Sequence, residues 1–180
     1  MQFDRRHAIQ GIAKQLYGYA VSLCADATLA EDLSQETIAR AIAASRAPKD
    51  RAAFRAWLFR ILRNAFIDHT RRQGRLVSLE VNDVADAAED RHANGPAVFN
   101  DRMIDALTVR IAFQRLQATQ REIIGLVDVV GFSYVEVADL LEIPIGTVMS
   151  RLSRARAALA HAVTDTNIVP MPQRIGQRTR

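Results

Sequence analysis

The sequence predicts an all-α protein: two small helical domains joined by an acidic flexible linker, the C-terminal one containing a helix-turn-helix. Apolar residues recur at three- and four-residue steps on both sides of one acidic stretch. Net charge follows the same division, at +5 over residues 1–73, −4 over 74–101 and +3 over 102–180. The 180-residue chain is 49% hydrophobic and 24% charged, as in ordinary globular proteins.

Composition excludes several classes of function. A single cysteine, Cys24, cannot form an intrachain disulfide, and the four scattered histidines show no metal-ligand spacing. No stretch approaches the roughly 18 apolar residues that span a bilayer, and the charged start, Met1–Gln10, lacks an apolar signal core. We therefore expect no cofactor, no metal, no membrane insertion and a cytoplasmic location. The net charge of +4 hints at a polyanionic partner.

Residues 1–73 are predicted to form three helices of one small domain. The first has an apolar face at helical spacing and stops at Asp26-Ala27, and Cys24 on that face is expected to be a buried structural thiol. A capping box at Thr28–Glu31 predicts the start of the second helix. The third follows the loop at Pro48–Asp50, and basic residues before Gly74 predict its end.

Two of these helices carry a polar face opposite an apolar one. On the second helix this face consists of Asp32, Gln35 and Glu36. On the third it consists of Arg60, Asn64 and Arg71, with Arg63 and Arg72 nearby. Solvated surface is the plain alternative for both faces. Trp57 lies on the apolar stripe of the third helix, which favours core packing over base stacking.

The acidic stretch 74–101 is interpreted as a linker between domains. It contains a Gly95-Pro96 break and no sustained helical period, and a structureless loop of this length is unusual inside one compact domain. Two interpretations stay open. The stretch is a solvated spacer, or its carboxylates mimic nucleic acid inside a basic channel of a partner.

Residues 102–163 are predicted to contain a helix-turn-helix. Capping boxes at Thr119–Glu122 and Ser133–Glu136 predict two helix starts, and Glu142–Pro144 forms the turn before a helix that runs from about Ile145 to about Val163. The last helix buries one apolar face and exposes hydroxyl and guanidinium groups, the types that contact bases and phosphates: Thr147, Ser150, Arg151 and Arg154. Residues 164–180 form a basic tail expected to be disordered.

These segments resemble the bacterial extracytoplasmic-function sigma factors. Residues 30–37 (AEDLSQET) and 54–72 (FRAWLFRILRNAFIDHTRR) are similar to region 2 of that family. Gln120–Glu122, Gly131–Ala138 and Gly146–Arg156 are similar to region 4. The similarity covers nearly the whole chain, in the family's order, with a variable acidic linker between the two regions.

The resemblance implies a transcription initiation factor and not an enzyme. Such a protein binds core RNA polymerase, directs it to promoters and helps open the DNA, and an anti-sigma factor holds it inactive. Asp32, Gln35 and Glu36 would bind the clamp helices of the largest polymerase subunit, and the C-terminal domain its flap. The -10 strand would be held by Arg60, Arg63, Asn64, Arg71 and Arg72, with the loop 45–53 completing a base pocket. The -35 duplex would be read by Thr147, Ser150, Arg151 and Arg154.

The sequence departs from the family pattern at three places. Met149 stands where a lysine is common, Ile145 is apolar where a polar residue is common, and Gln117-Ala118 replaces the usual Leu-Pro. Two other classes remain as alternatives. A helix-turn-helix regulator with a sensing domain would bind duplex DNA without polymerase. A nucleic-acid-processing enzyme would need a catalytic cluster, and no such motif is apparent.

Overall fold

A computed structural model describes residues 4–79 and 101–165, with side chains to Gly74 and again from Asp105. Within these ranges every regular element is helical, which confirms the predicted fold class. The helices are α1 (Arg5–Cys24), α2 (Ala27–Ala43), α3 (Arg51–Leu79), α4 (Asp101–Gln114), α5 (Ala118–Ile124), α6 (Tyr134–Leu141) and α7 (Ile145–Asp165), with a π-helical turn at Gly125–Val129 after α5. Most of the predicted linker and nearly all of the predicted tail lie outside the described residues. None of the described helices combines the length and the apolar character that crossing a membrane requires.

Helix α2 begins two residues earlier than the predicted capping box. Asp26 is its N-cap residue, and the Asp26 carboxylate accepts a hydrogen bond from the Leu29 backbone N–H at 2.8 Å. The prediction of Thr28 as the cap was therefore wrong, because an aspartate was available to satisfy the same free amide groups. Asp50 acts in the same way for α3, where its carboxylate accepts from the Ala53 N–H at 2.8 Å.

Helix α3 continues through Gly74, so the prediction that this glycine ends the helix was wrong. The helix runs to Leu79, and a side chain at Gly74 would meet nothing within 4 Å. An isolated glycine in a helix interior costs only about 1 kcal/mol. A helix of 29 residues tolerates that cost, because the backbone hydrogen bonds on both sides of the glycine hold its geometry.

The C-terminal half, residues 101–165, contains the predicted helix-turn-helix. Ser133 caps α6, and the Glu136 carboxylate accepts from the Ser133 N–H at 2.8 Å, which confirms that capping box. Helix α5 instead starts after Gln117, whose N–H donates to the Gln120 side chain at 3.0 Å, so Thr119 is not its cap. Between α6 and α7 the chain turns at Glu142, in the left-handed conformation with φ of 57°.

The N-terminal half, residues 4–79, packs against the C-terminal half along a continuous buried core. Phe59 of α3 lies between them, with ring centroids 5.6 Å from Tyr19 and 5.1 Å from Phe132. Gly125 lies against Ser22 and Tyr19 of α1, a close approach that an added side chain would obstruct. The structure therefore joins the two helical halves through one shared apolar core.

Candidate nucleic-acid interface

The outward surface of α7 is the first candidate interface. Val148, Leu152 and Ala155 are buried against the rest of the C-terminal half, as predicted. Ser150, Arg151 and Arg154 are exposed and Thr147 is half-buried. Gly146, Ser150 and Ser153, together with the arginines, therefore form much of the side of α7 that faces solvent, which suits close approach to a charged groove.

The start of α5 extends this surface beside α7. A groove of about 230 Å³ is lined by Gln117, Thr119, Gln120, Arg151 and Arg154. Both arginines line this groove, so the structure brings two of the four predicted -35 residues together with side chains that the sequence prediction did not include. Two guanidinium groups beside a hydroxyl and two amides suit the oxygens of a phosphate.

The polar face of α3 is the second candidate interface, and most of it is exposed as predicted. Arg60, Asn64, Arg71 and Arg72 are all exposed. The Arg60 guanidinium also donates to the Asp139 backbone carbonyl of α6 at 3.0 Å. The N-terminal candidate surface and the helix-turn-helix are therefore in direct contact in this conformation.

Arg63 lies apart from this exposed face, between the two halves. Its Nε donates to the Glu122 carboxylate of α5 at 2.7 Å, and both side chains are mostly shielded, at 27% and 15% exposed. Side-chain direction around a helix explains the difference. Arg63 follows Arg60 by about 300° of rotation, and Asn64 follows Arg60 by only about 40° once a full turn is subtracted.

A second buried face of α3 was missed by the sequence prediction. Arg55 donates to the Val130 backbone carbonyl at 2.7 Å, and its guanidinium carbon lies 4.0 Å from the centroid of the Phe132 ring. Phe59, one turn later, is fully buried. The spacing Arg55–Phe59–Arg63, each step four residues, was a usable signal, because it marks one face that is neither the apolar stripe nor the polar face.

Arg121 makes another contact between the halves that the sequence prediction missed. Its guanidinium donates to the backbone carbonyls of Ser22 and Leu23 at 3.2 Å each, and to that of Leu116 at 2.6 Å. A guanidinium at the last turn of α1 satisfies carbonyls that have no helical partner and lies at the negative end of the helix dipole. Partial burial lowers the pKa of Arg121.

The polar face of α2 is exposed along its length. Asp32, Gln35 and Glu36 all face solvent. Glu36 pairs with Arg40 at 2.6 Å, and the Gln35 side chain donates to the Glu31 carboxylate at 3.1 Å. These bonds join neighbours on one helix and leave the face open to a partner.

Two groups expected to pack inside the domain, Cys24 and Trp57, are half-buried and not fully enclosed. Burial raises the pKa of the Cys24 thiol to about 12, so the uncharged form dominates near neutral pH. Trp57 is half-buried beside Phe54, with ring centroids 5.5 Å apart. In the part of the chain that the structure describes, no group of three or more His, Cys, Asp or Glu side chains is arranged to hold a metal ion.

Comparison with known families matches both halves separately. The sigma-70 region 2 model matches residues 9–76, and the sigma-70 region 4 model matches residues 107–159. The match in the N-terminal half therefore contains α2 and most of α3, and the match in the C-terminal half contains the helix-turn-helix.

Curated relatives and solved structures agree with these matches. The chain is 34% identical over 155 residues to the ECF RNA polymerase sigma factor EcfG of Rhodopseudomonas palustris, covering 86% of this chain and 82% of the relative. It is 34% identical over 143 residues to the ECF RNA polymerase sigma factor SigC of Mycobacterium tuberculosis, covering 77% and 72%. The sigma factor RpoE from Bartonella quintana, solved in complex with the anti-sigma factor NepR, superimposes with a TM-score of 0.67 at 31% identity, covering 88% of this chain and 96% of that one. CnrH, solved with the cytosolic domain of CnrY, gives 0.54 at 27% identity, covering 91% and 92%.

Proposed function

The chain belongs to the ECF sigma factors, and from that membership we propose that it binds core RNA polymerase, directs it to promoters through the -10 and -35 elements, and helps open the DNA. The observation that carries the proposal is the ordered match of regions 2 and 4 to the two halves. Each half presents an exposed surface with arginines, as binding to a polyanion requires. This role takes place where the polymerase and chromosome are, in the bacterial cytoplasm, and involves no bond chemistry by the chain itself.

Different surfaces serve the three partners. Asp32, Gln35 and Glu36 on α2 bind the clamp helices of the largest polymerase subunit, and the C-terminal domain contacts the flap. The -10 strand is held by Arg60, Arg63, Asn64, Arg71 and Arg72. The -35 duplex is contacted by Thr147, Ser150, Arg151 and Arg154. The domains follow this division. The sequence places them at 1–73 and 102–163, with a linker 74–101 and a tail 164–180, and the observed helices extend the first to Leu79 and the second to Asp165.

The strand-holding role of α3 requires the two halves to separate. Arg63 is paired with Glu122 in the conformation described above, and Arg60 donates to a carbonyl of α6. A melted strand is held by phosphate contacts and by a base removed from the stack, and both need access to this face. Binding to polymerase therefore moves α5 and α6 away from α3.

An anti-sigma factor is the proposed regulator of this chain. Two structural neighbours were solved with a bound protein partner: RpoE with the anti-sigma factor NepR, and CnrH with the cytosolic domain of CnrY. A partner that covers exposed basic faces would prevent binding to promoters. Affinity purification of the full chain from its native cell, followed by identification of the bound proteins, tests this expectation. Recovery of polymerase alone, at native expression levels, would argue against it.

Run-off transcription with core polymerase tests the main proposal. The full chain is added to purified core enzyme and a set of genomic promoter fragments, and chain-dependent transcripts are expected. The double variant R60A/N64A is expected to lose strand opening, detected by permanganate reactivity of unpaired thymines, while it still binds core polymerase. R6A, which removes an exposed arginine of α1, is the matched control and should retain both properties.

Three outcomes would contradict parts of the proposal. Absence of any chain-dependent transcript would contradict the sigma-factor role itself. Tight binding of the chain alone to a specific duplex would favour the helix-turn-helix regulator. Loss of core binding by R60A/N64A would show that α3 binds polymerase and that the two faces were assigned the wrong way round.

A further inference from the structure

Two exposed apolar side chains stand at the start of the helix that is proposed to read the -35 duplex. Ile145 is 46% exposed and Met149 is 53% exposed. They lie four residues apart and therefore on one side of α7, about 40° from each other around the helix axis. Neither side chain can form an ion pair with a phosphate, so their exposure on this helix requires a different kind of contact.

The neighbours of these two side chains are small. Gly146, Ser150 and Ser153 are exposed on the adjoining strip of α7, and a side chain added at Gly146 would meet nothing within 4 Å. A helix whose outward strip is formed by glycine and serine approaches the floor of a groove closely. Side chains as long as isoleucine and methionine, placed beside that strip, then extend to the edges of the bases.

Charge around the two residues identifies the kind of partner. Between Ile143 and Thr164 the chain has three arginines and no carboxylate. Arg156 is paired with Asp128 of the π-helical turn, whereas Arg151 and Arg154 lie on the other side of the glycine and serine strip from Ile145 and Met149. A helix surface with arginines on one flank and apolar side chains on the other suits the major groove of duplex DNA, where phosphates flank base edges. The apolar group exposed on those edges is the 5-methyl group of thymine.

We propose that Ile145 and Met149 determine -35 specificity in this protein by apolar contact with thymine methyl groups in the major groove. This inference rests on the proposed function and adds a source of sequence preference to it. The arginines that line the groove beside α5 then position the duplex through its phosphates, while Ile145 and Met149 favour thymine over cytosine, which lacks the methyl group. Ser150 is exposed on α7 between these arginines and the two apolar side chains.

Replacement of thymine by uracil removes only this methyl group and tests the proposal directly. A promoter library with a randomised -35 segment is first selected with the holoenzyme formed by the full chain and core polymerase. Each thymine of the preferred duplex is then replaced singly by deoxyuridine, and binding by the holoenzyme is measured. Burial of one methyl-sized group corresponds to about a fourfold change in a binding constant. One or two replacements should therefore weaken wild-type binding about three- to fivefold.

The variants separate base contact from other effects. In M149A the ratio of thymine to uracil binding should fall to about one at one thymine of the duplex. In I145A it should fall to about one at a neighbouring thymine. M149K should regain overall affinity through a phosphate contact without regaining that ratio. V109A removes an equally exposed apolar side chain from α4 and should leave the ratio unchanged.

The possible contrary results point to different errors. A wild-type holoenzyme that binds the thymine and uracil duplexes equally, or that selects a -35 segment without thymine, would overturn the proposal and leave the sigma-factor role intact. An unchanged ratio in M149A and I145A would do the same. If these variants lose affinity for core polymerase instead, the strip binds protein and the proposal is wrong. Selection of no segment at all would contradict the proposed function, and this inference with it.

Discussion

Alanine at position 125 is expected to weaken the contact between the two halves. Gly125 has ordinary helical geometry, with φ of −56° and ψ of −45°, so alanine fits the backbone there. The added Cβ would nevertheless overlap the Ser22 Oγ of α1 and lie 3.0 Å from Ser22 Cβ and 3.2 Å from Tyr19 Cδ2. Ser22 cannot simply turn away, because its buried hydroxyl donates to the Tyr19 carbonyl at 2.7 Å.

The magnitude follows from two opposing effects. Overpacking of a tight core costs about 1–3 kcal/mol. Replacing a helical glycine by alanine returns up to about 1 kcal/mol. The overlap with the Ser22 Oγ places the overpacking cost in the upper part of its range, at about 2–3 kcal/mol, so G125A should lose about 1–2 kcal/mol of the free energy of unfolding. Gly11 is the matched control, because it is also helical and a Cβ there meets nothing within 4 Å, so G11A should gain up to about 1 kcal/mol.

Urea unfolding of the full chain, followed by far-ultraviolet circular dichroism, measures both free energies. Small-angle X-ray scattering should also show a larger radius of gyration for G125A than for G11A, because the obstructed surface lies between the halves. The double variant S22A/G125A removes the hydroxyl that the new methyl group overlaps and should recover part of the loss. If G125A is as stable and as compact as G11A, then α1 and the π-helical turn do not pack as described, and the reasoning fails.

Three further results are expected. R55A should lose about 1–3 kcal/mol of the free energy of unfolding in urea, because the guanidinium both stacks on Phe132 and donates to a backbone carbonyl. R55K should recover less than half of that loss, and full recovery would show that charge alone matters. S133A should lose about 1 kcal/mol of stability, because the hydroxyl that caps α6 is removed. S133D should keep most of that stability, because aspartate is also a good N-cap residue, and equal losses in the two variants would exclude capping as the cause. Cys24 should react with iodoacetamide at pH 8 over tenfold more slowly in the folded chain than in urea, because burial raises its pKa to about 12. Equal alkylation rates in the folded and unfolded chain would contradict the burial. Because the folded state binds the thiol proton more tightly, the contribution of Cys24 to stability is fully present below about pH 9 and is lost between about pH 9 and 12.

Local sequence patterns predicted which segments are helical, and they predicted the ends of those helices less well. The Ser133–Glu136 box and the turn at Glu142 depend on neighbouring residues alone, and both are present as expected. Helix ends with two competing signals were placed wrongly: Asp26 caps α2 in place of Thr28, and α3 passes through Gly74. Each error has the same physical origin, since the energy differences between adjacent caps are about 1 kcal/mol or less.

The candidate surfaces were predictable in their exposure and less so in their internal contacts. Helical spacing placed Arg60 and Asn64 on one exposed face, as the structure has them. The same spacing placed Arg63 beside them, although its ion pair with Glu122 joins residues 59 positions apart. A pairing across that distance in sequence leaves no periodic signal, so it becomes visible only when both halves are folded together.

Helix α3 both contacts the C-terminal half and presents a basic face, and this has a thermodynamic consequence for every ligand of that face. Arg60 and Arg63 are already bonded to α6 and α5, so a ligand that requires both guanidinium groups competes with part of the same chain. Its observed dissociation constant is then larger than the intrinsic one by the inverse of the fraction of open molecules. Substitutions on α5 or α6 that touch no ligand thereby tune affinity at a surface on a different helix, in either direction.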